Sequence, residues 1–376
     1  MVITKPPMGW NSWNTFGDGA INEALIRESA DAMISTGLAE AGYNYICIDD
    51  GWSQRERTPD GKLIEDFDKF PHGIKALADY VHSKGLKFGM YSCAGTRTCA
   101  DYPGSFGHEF DDVQTFLGYD IDYLKYDNCM APEYQPYQRY NRMGMALESC
   151  GRDILFSVAN CGTAEVETWA RSVGGHMYRS TGDIGERFSA IAHIGSSQFF
   201  KLQYSAPGCY NDVDMLVVGM DGVGNVGHPG LCGDTEYKTH FALWCMESAP
   251  LIIGSDLRRL RPECIALLTN KDLLAIDQDP EARAPLAVVG DPSQTMLFKH
   301  LSDNRFAVGI FNLSDHAGNG RLWFDEIGMT NGIGFSMRVK DVFTGEVIDR
   351  FETKRLFPLE PHDCRVFIGE YVPDNG

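Results

Sequence analysis

Charged and aromatic side chains follow a series of short apolar runs in the first three quarters of the sequence, each near the point where a run ends. These residues are Trp13, Asp49, Asp50, Tyr91, Lys125, Asp127, Arg179, Asp183, Asp212 and Asp214. Aspartates gathered in one place repel each other, so such a group indicates that the charge is used. Three uses are plausible: a divalent metal, a polyhydroxylated ligand, or a pair of catalytic carboxylates.

Two kinds of chemistry are disfavoured by the cations in this set. Carboxylate oxygens are suitable ligands for Mg²⁺ or Ca²⁺, but Lys125 and Arg179 would compete with a metal ion. Lys125 could form a Schiff base, which requires a desolvated lysine of low pKa. Asp127, two residues further on, would instead hold Lys125 protonated. We therefore expect no metal and no cofactor.

Glycoside cleavage needs two carboxyl groups, of which one attacks the anomeric carbon while the other donates and then removes a proton. Asp127 ends the run LKYD, where Lys125 favours its ionised, nucleophilic form. Asp183 lies in a glycine-flanked turn, TGDIG, that can place an acid opposite Asp127. If the enzyme retains the anomeric configuration, the two carboxyl groups should lie roughly 5–5.5 Å apart.

Three tryptophans, Trp10, Trp13 and Trp52, flank the same positions and are suitable for stacking on a sugar face. Taken alone, an aromatic residue is as easily part of the core, and an aspartate at a strand end as easily caps a helix. Their joint occurrence with the carboxylates favours a sugar site.

The elements that must position these groups alternate along the chain as helix, glycine and short apolar strand. Helices are predicted over 21–34 and 72–84, with a further helical pattern at 113–118. Strands are predicted around 8–13 and over 43–50, 87–91, 121–127, 154–158, 176–180, 212–218 and 249–254. Eight alternations predict an α/β fold, a (β/α)8 TIM barrel with functional groups at the C-terminal strand ends. No GxGxxG follows a first strand, which argues against a dinucleotide fold.

The last quarter of the chain has a different pattern. Residues 278–294 are rich in Pro, Asp and Gly and are predicted to form a linker. TMLFKHL and RFAVGIFNL then flank residues 302–304, which is typical of a hairpin. RLWF, SMRVKDVF and CRVFIGEYV continue as short strands. We predict a catalytic barrel over 1–285 and a C-terminal antiparallel β-sandwich domain over 286–376.

Composition limits the classes of partner and the compartment. Of the 376 residues, 52 are acidic and 33 are basic, giving a net charge of −19 that repels phosphate backbones and anionic lipid. No run approaches the roughly 20 apolar residues of a membrane span. The 11 cysteines contain no CxxC, and the N-terminus lacks a signal-peptide pattern. We expect a cytoplasmic protein with mostly reduced thiols and a neutral small-molecule ligand, and neither a nucleic-acid nor a membrane partner.

Five motifs occur in order: MGWNSW, IDDGW at 48–52, LKYDNC at 124–129, RSTGDI at 179–184 and NDVDML at 211–216. Together they resemble glycoside hydrolase family 27, the melibiase-type α-galactosidases and α-N-acetylgalactosaminidases. NKDLLAIDQDP at 270–280 is similar to the junction between barrel and sandwich in that family. The resemblance covers essentially the whole chain. It implies a retaining barrel glycosidase without a cofactor, and it is compatible with a homo-oligomer.

The resemblance assigns roles residue by residue. Asp127 matches the nucleophile and Asp183 the acid/base. Asp49 and Asp50 match residues that bind the 4- and 6-hydroxyls of galactose, and Arg179 matches one that contacts the 2- and 3-hydroxyls. The complete set of implied substrate-binding positions is Trp13, Asp49, Asp50, Tyr91, Cys99, Lys125, Asn160, Arg179 and Asp214. The implied function is a retaining exo-α-galactosidase that acts on terminal α-D-galactosyl residues of oligosaccharides by double displacement.

The loop FSVANCGTAEVETW at 156–169 departs from the family pattern. Ala159 stands where relatives have Cys, Asn160 holds the polar position, and Cys161 replaces Trp. This loop faces the substituent at C2, where Asn160 is compatible with a hydroxyl. Thr163 and Ala164 could also leave room for an acetamido group. An α-N-acetylgalactosaminidase, or a related α-glycosidase or β-L-arabinopyranosidase, is therefore the alternative on the same scaffold.

The cysteines give further expectations through the resemblance. Cys99 and Cys129 match a bonded pair beside the active site, so we predict a disulfide, with Cys99 as pocket wall rather than nucleophile. Gly51 and Gly175 stand where secreted relatives have Cys, in keeping with a cytoplasmic protein. A catalytically inactive sugar-binding protein and a metal-dependent barrel hydrolase are the alternatives from other functional classes.

Overall fold

The computed structural model describes residues 3–131, 136–288, 292–328, 334–350 and 354–373. Its first eight strands are β1 Met8–Asn11, β2 Tyr45–Cys47, β3 Lys87–Cys93, β4 Tyr123–Asp127, β5 Leu155–Ala159, β6 Met177–Arg179, β7 Tyr210–Asp212 and β8 Leu251–Ile253. They form one parallel sheet in the order β7-β6-β5-β4-β3-β2-β1-β8. A parallel bridge between Leu216, just after β7, and Ile253 joins the two ends. The predicted (β/α)8 barrel is confirmed.

Helices separate the strands. They are α1 Trp13–Phe16, α2 Glu23–Ser35, α3 Leu38–Ala41, α4 Gly73–Ser83, α5 Glu109–Tyr119, α6 Pro136–Ser149, α7 Val166–Trp169, α8 Phe188–Ser196, α9 Asp234–Glu247, α10 Pro262–Leu268 and α11 Lys271–Asp277. The predicted helices at 21–34 and 72–84 match α2 and α4 closely. At the start of α2, the side chain of Asn22 accepts a 2.9 Å bond from Leu25 N, which caps the helix. No helix in these ranges combines the length and the apolar character needed to cross a bilayer.

The seventh strand differs from the prediction. We expected it over 212–218, but β7 spans Tyr210–Asp212 and ends where the predicted strand begins. Asp214 has a φ of 82°, in the left-handed region, and the chain turns there. Val217 and Val218 are fully buried after this turn. A buried apolar run therefore looked like a strand, because burial and β-branching alone do not identify one.

The C-terminal part is an all-β unit, as predicted. Its strands are β9 Leu286–Val288, β10 Thr295–His300, β11 Arg305–Phe311, β12 Gly318–Trp323, β13 Phe335–Asp341, β14 Val347–Ile348, β15 Lys354–Leu359 and β16 Cys364–Pro373. Six form an antiparallel sheet in the order β14-β13-β16-β11-β10-β9, and β12 pairs with β15. The hairpin at 302–304 is confirmed by the pairing of β10 with β11. The segment predicted as a linker contains β9, and its residues 289–291 lie outside the described residues.

Side-chain contacts of helix α9 attach the β-domain to the barrel. Thr239 Oγ1 donates a 2.6 Å bond to the carbonyl of His362, whose ring nitrogens lie 2.9 Å from Glu236 Oε1 and 2.8 Å from Asp315 Oδ1. The same imidazole stacks on Phe188, with 3.9 Å between ring centroids. The β-domain is thus attached directly to the elements that follow β6 and β7.

Candidate active site

A cavity of about 110 Å³ lies at the C-terminal ends of the barrel strands. It is lined by Trp13, Asn14, Asp49, Tyr91, Cys99, Lys125, Asp127, Arg179, Asp183, Asp214, Met215 and Val226. All the residues predicted for catalysis or substrate binding line this cavity except Asp50 and Asn160, and Asp212 at the end of β7 does not line it either. The barrel therefore brings together the side chains of strand ends that are far apart in the sequence, which is the usual arrangement of a TIM-barrel active site.

Asp127, the last residue of β4, is held at the floor of this cavity. Its Oδ1 accepts a 2.8 Å bond from Asn128 N, and its Oδ2 accepts a 3.2 Å bond from the hydroxyl of Tyr91. Burial raises the pKa of Asp127 above its ordinary value, although the charge of Lys125 and the Asn128 N–H oppose this shift. Lys125 thus favours the ionised form as expected, but burial has the larger effect.

Lys125 forms a buried ion pair with Asp49. Its Nζ lies 2.7 Å from Asp49 Oδ2, which also accepts a 2.7 Å bond from Asn11 Nδ2. Burial alone would lower the pKa of Lys125, but the charges of Asp49 and Asp127 raise it above its ordinary value. Lys125 is therefore held protonated, which makes it a hydrogen-bond donor in the cavity and not a Schiff-base nucleophile.

Arg179, the last residue of β6, lies between two carboxylates. Nη2 donates a 2.7 Å bond to Asp183 Oδ1, and Nη1 lies 2.9 Å from Asp214 Oδ1. The side chain of Asp183 is 82% exposed, whereas Asp214 is buried. Burial acts to raise the pKa of Asp183, but the charge and hydrogen bond of Arg179 lower it overall. The proposed acid/base is thus an ionised carboxylate in this arrangement.

Asp50 lies beneath the cavity wall rather than in it. Its Oδ1 accepts a 2.8 Å bond from Gly51 N, and its Oδ2 accepts a 2.9 Å bond from Ala100 N. Burial raises the pKa of Asp50 to about 6, although these N–H groups oppose the shift. Asp50 therefore fixes the position of the loop that carries Cys99.

Asn160 also lies outside the cavity lining. Its Nδ2 donates bonds of 2.7 and 2.9 Å to the carbonyl and hydroxyl of Thr163, within its own loop. Its neighbour Cys161 points toward Asp127, with Sγ at 3.8 Å from Asp127 Oδ1. Burial raises the pKa of the Cys161 thiol to about 12, so this thiol stays protonated and unreactive.

Of the three tryptophans considered for sugar stacking, only Trp13 lines the cavity. Trp10 is fully buried and donates a 2.8 Å bond from Nε1 to the carbonyl of Ser255. Trp52 is also buried, and its Nε1 donates a 2.9 Å bond to the carbonyl of Tyr91. The stacking role expected for Trp10 and Trp52 is wrong, because both side chains pack in the core.

The predicted disulfide between Cys99 and Cys129 is present, with 5.1 Å between the Cα atoms. It ties the loop after β3 to the residues that follow Asp127, and Cys99 forms pocket wall as expected. The other nine cysteines are free. The bonded sulfurs are no longer available to bind a metal ion together with Asp127.

A second group of three potential metal ligands among the described residues is Asp79, His82 and Asp120. It lies on helix α4 and after α5, away from the cavity. Lys75 forms ion pairs with both aspartates, and Arg152 pairs with Asp120. The carboxylates in this group already have cationic partners.

Sequence reasoning missed the segment 219–230, GMDGVGNVGHPG, which contributes Val226 to the cavity wall. Its backbone contacts α1, since Val226 N donates a 3.1 Å bond to Asn14 O. The available signal was the density of glycines. At Gly224, φ is 106° and a Cβ atom would lie 2.7 Å from Thr15 Cα, so only glycine permits this contact.

A larger surface groove of about 540 Å³ adjoins the cavity. Cys161 and Asp183 line it together with Arg187, which precedes α8, and with residues of α8 and the chain that follows, including His193. The exposed side chain of Asp183 is common to both spaces. A molecule that fills the small cavity could therefore continue into the groove past Asp183.

Two family models match the chain. One described as Alpha galactosidase A matches residues 5–279, and one described as Alpha galactosidase C-terminal beta sandwich domain matches residues 291–368. An alpha-galactosidase of Cyamopsis tetragonoloba is 39% identical over 364 residues, covering 96% of this chain and 85% of that protein.

Solved structures are similar over nearly their whole length. Alpha-galactosidase I from Mortierella vinacea has a TM-score of 0.90 at 30% identity, covering 98% of this chain and 97% of that chain. An alpha-galactosidase from Saccharomyces cerevisiae, solved with raffinose, has a TM-score of 0.88 at 25% identity and covers 98% of both chains.

Proposed function

The chain belongs to the alpha-galactosidase family of glycoside hydrolases, and we propose that it is a retaining exo-α-galactosidase that releases terminal α-D-galactosyl residues. The observation that supports this most directly is the placement of Asp127 and Asp183 on one small cavity with Lys125 and Arg179 between other carboxylates. A cavity of about 110 Å³ suits one terminal sugar better than the interior of a polysaccharide chain.

In the first step, a carboxylate oxygen of Asp127 attacks C1 of the galactosyl residue from the β face. The bond between C1 and the leaving oxygen breaks, and Asp183 transfers its proton to that oxygen. The hydrogen bonds from Asn128 N and the Tyr91 hydroxyl orient the carboxylate of Asp127 for attack. The products are a β-linked galactosyl-enzyme ester and the free leaving group.

In the second step, the carboxylate of Asp183 removes a proton from water, and the water oxygen attacks C1 from the α face. The ester bond to Asp127 breaks, and α-galactose leaves with its configuration retained. The ion pair between Arg179 and Asp183 suits this step, because it holds Asp183 as a carboxylate that can accept a proton.

Recognition of the sugar is assigned to the polar groups of the cavity. Asp49 as acceptor and Lys125 as donor form a pair that can require an axial 4-hydroxyl. We assign the 2- and 3-hydroxyls to Arg179, which is paired with Asp214 at 2.9 Å. A sugar that leaves such buried groups unpaired is strongly rejected, with kcat/KM lower by about 10⁴-fold.

We assign the leaving group to the groove of about 540 Å³ that Asp183 shares with the cavity. This assignment suits oligosaccharides, since the leaving group of a galactoside must contact the acid/base. The Saccharomyces cerevisiae relative was solved with raffinose, a galactoside. We therefore propose short α-galactosides as substrates.

Rescue with azide tests the two catalytic roles separately. Asp127→Gly removes the nucleophile, so azide can enter from the β face and yield β-galactosyl azide. Asp183→Ala leaves the β-linked enzyme ester, which azide can attack from the α face to yield α-galactosyl azide. NMR of the products distinguishes the two anomers. The same anomer from both variants would contradict the assigned roles.

The substituent at C2 is the point on which the alternative function depends. Because the side chain of Asn160 bonds to Thr163 within its own loop, a thiol and not an amide is the group of this loop that lies near Asp127. Side-by-side hydrolysis of 4-nitrophenyl α-galactoside and 4-nitrophenyl α-N-acetylgalactosaminide, with a chelator present, decides between the two. Faster release of 4-nitrophenol from the α-N-acetylgalactosaminide would show that the protein is an α-N-acetylgalactosaminidase. Loss of activity with the chelator would indicate a metal.

We propose a cytoplasmic location, because nine of the 11 cysteines are free thiols. The Cys99–Cys129 bond is the feature that opposes this proposal. Cell fractionation with thiol labelling tests it, and recovery outside the cytoplasm would contradict it. The homo-oligomer implied by the resemblance stays a prediction, which light scattering of the purified protein can check.

A further inference from the structure

Glu186 lies three residues after Asp183 in the loop between β6 and α8, and it is completely buried. Its two carboxylate oxygens accept bonds of 3.0 and 2.9 Å from Gly222 N, and Oε2 accepts a 3.0 Å bond from His228 N. The hydroxyl of Tyr237 donates to Oε1. These donors, taken from the described residues, connect Glu186 with the segment 219–228 and with α9.

This segment forms part of the cavity wall and is held from both sides. Glu186 N donates a 3.0 Å bond to Val226 O, and Val226 lines the cavity. On the other side, Val226 N donates to Asn14 O at 3.1 Å, and Asn225 N donates to Thr15 O at 3.2 Å. Glu186 thus connects the loop of the acid/base to α1 through a continuous set of hydrogen bonds.

Apart from the Tyr237 hydroxyl, the donors to Glu186 are backbone N–H groups, and the backbone around them has little space for adjustment. Gly222 has a φ of 77°, and a Cβ atom there would lie 2.6 Å from Pro229 Cα. A carboxylate that accepts two backbone N–H groups fixes both its own loop and the segment that donates to it. A displacement of either is therefore transmitted to the other.

Asp183 itself has few direct supports. Its side chain is 82% exposed and bonds to Arg179. The next residue, Ile184, donates a 2.7 Å bond from its N–H to Asp214 Oδ2. Beyond Ile184, the next anchor is the buried carboxylate of Glu186. The position of the exposed acid/base therefore depends on the residues that follow it in the loop.

We propose that Glu186 is a positioning residue for the proton transfers of Asp183, an inference that rests on the acid/base role proposed above. Glu186 is not in the cavity lining, so it acts through the loop and not on the sugar. An acid that is displaced by about 1 Å can lose as much as 10²-fold in rate. This loss falls on substrates whose leaving group needs a proton.

The test compares kcat/KM for phenyl α-galactoside with that for 2,4-dinitrophenyl α-galactoside, whose leaving group departs without a proton. In Glu186→Gln, an NH2 group replaces one carboxylate oxygen and cannot accept from a backbone N–H, so only one acceptor oxygen remains for Gly222 N and His228 N. We expect kcat/KM to fall by about 10- to 100-fold for the phenyl substrate and by about twofold for the dinitrophenyl substrate. Asp183→Ala is the reference variant, in which the loss of kcat/KM for the phenyl substrate should exceed that for the dinitrophenyl substrate by a larger factor.

Glu109→Gln is the matched control, because Glu109 is also buried but pairs with Arg142 at 2.7 Å, and neither residue lines the cavity. It should affect both substrates equally. Equal losses in Glu186→Gln, or no loss, would overturn the inference while leaving the role of Asp183 intact. Equal losses in Asp183→Ala would instead contradict the proposed function. If Glu186→Gln fails to fold, Tyr237→Phe decides by the same comparison, since it removes one donor to Glu186.

Discussion

Arg179 Nη2 donates a hydrogen bond of 2.7 Å to Asp183 Oδ1, so the base of the proposed mechanism is ion-paired with a residue assigned to sugar binding. Burial raises the pKa of Asp127, whereas Arg179, against the effect of burial, lowers the pKa of Asp183. Of the two carboxyl groups, Asp127 is therefore the harder to ionise and Asp183 the easier. Sugar hydroxyls that bind Arg179 would weaken its bond to Asp183 and allow Asp183 to take up the proton needed for the first step.

Arg179→Gln should move the pH profile of kcat/KM to higher pH. The guanidinium lowers the pKa of both Asp127 and Asp183, so its removal raises both values and shifts both limbs in the same direction. We also expect kcat/KM at the optimum to fall by about tenfold or more, through the lost charged hydrogen bonds. Rates from pH 3 to 9 with 4-nitrophenyl α-galactoside provide the measurement. Lys354→Gln, on strand β15, is the control and should leave the profile unchanged.

Lys125→Met should destabilise the protein by about 3 kcal/mol, because it leaves the buried carboxylate of Asp49 without its cation. The double variant Asp49→Asn with Lys125→Met removes both charges and should recover much of this loss. Urea unfolding of the two single variants and the double variant measures the coupling. Strictly additive losses would show that the 2.7 Å ion pair contributes nothing to the free energy of unfolding.

Loss of the disulfide should reduce both stability and activity. Cys99 and Cys129 are separated by 30 residues, and a loop of that length corresponds to about 3.5 kcal/mol of stabilisation. Cys129 lies two residues after Asp127, so kcat should fall as well. The thermal unfolding and the kinetics of Cys129→Ser should match those of wild-type protein whose disulfide has been reduced. Cys232→Ser changes a free cysteine and serves as the control, and an equal effect there would contradict the prediction.

The strand ends were predictable because a parallel barrel places every C-terminal end on one face. Asp127 at the end of β4 and Arg179 at the end of β6 could be assigned to one cavity before any coordinates. Asp183 lies in a turn after β6, where the flanking glycines of TGDIG indicated it as the second carboxyl group and the resemblance then matched it to the acid/base. A short buried strand that ends in a charged residue is therefore enough to assign that residue to the cavity.

Side-chain direction was not predictable at the same level. Trp10 and Asn11 are adjacent in β1, and alternation sends Trp10 into the core while Asn11 bonds to Asp49. When two adjacent residues such as Trp10 and Asn11 could both bind a sugar, the sequence of a four-residue strand does not show which of them points toward the cavity. In the loop after β5, the side chain of Asn160 bonds to Thr163 while that of Cys161 lies near Asp127, and the sequence does not show this difference in direction either.

Elements defined by tertiary contacts were missed for a different reason. The segment 219–230 has no periodic pattern, and its shape depends on glycine contacts with α1 and on the carboxylate of Glu186. Strand β15 was missed because its side chains at Lys354, Arg355 and Leu356 are exposed and do not alternate. It becomes a strand by pairing with β12.

The contact of His362 with the barrel predicts a pH-dependent attachment of the β-domain. Burial acts to lower the pKa of His362, but its bonds to Asp315 and Glu236 raise it above the ordinary value. A raised pKa means that the stabilisation is fully present below the pKa of the unfolded chain, near 6.5, and is lost as pH rises through the folded-state pKa. His362→Gln should therefore lose stability mainly at acidic pH.

Unfolding in urea at pH 5.5 and at pH 8.5 measures this effect. The difference in free energy of unfolding between wild type and His362→Gln should be larger at pH 5.5. His316→Gln is the matched control, since His316 is exposed in the same domain and should show no such difference. A deficit in His362→Gln that is equal at both pH values would mean that the stacking on Phe188, which does not need the charge, is what attaches the domain.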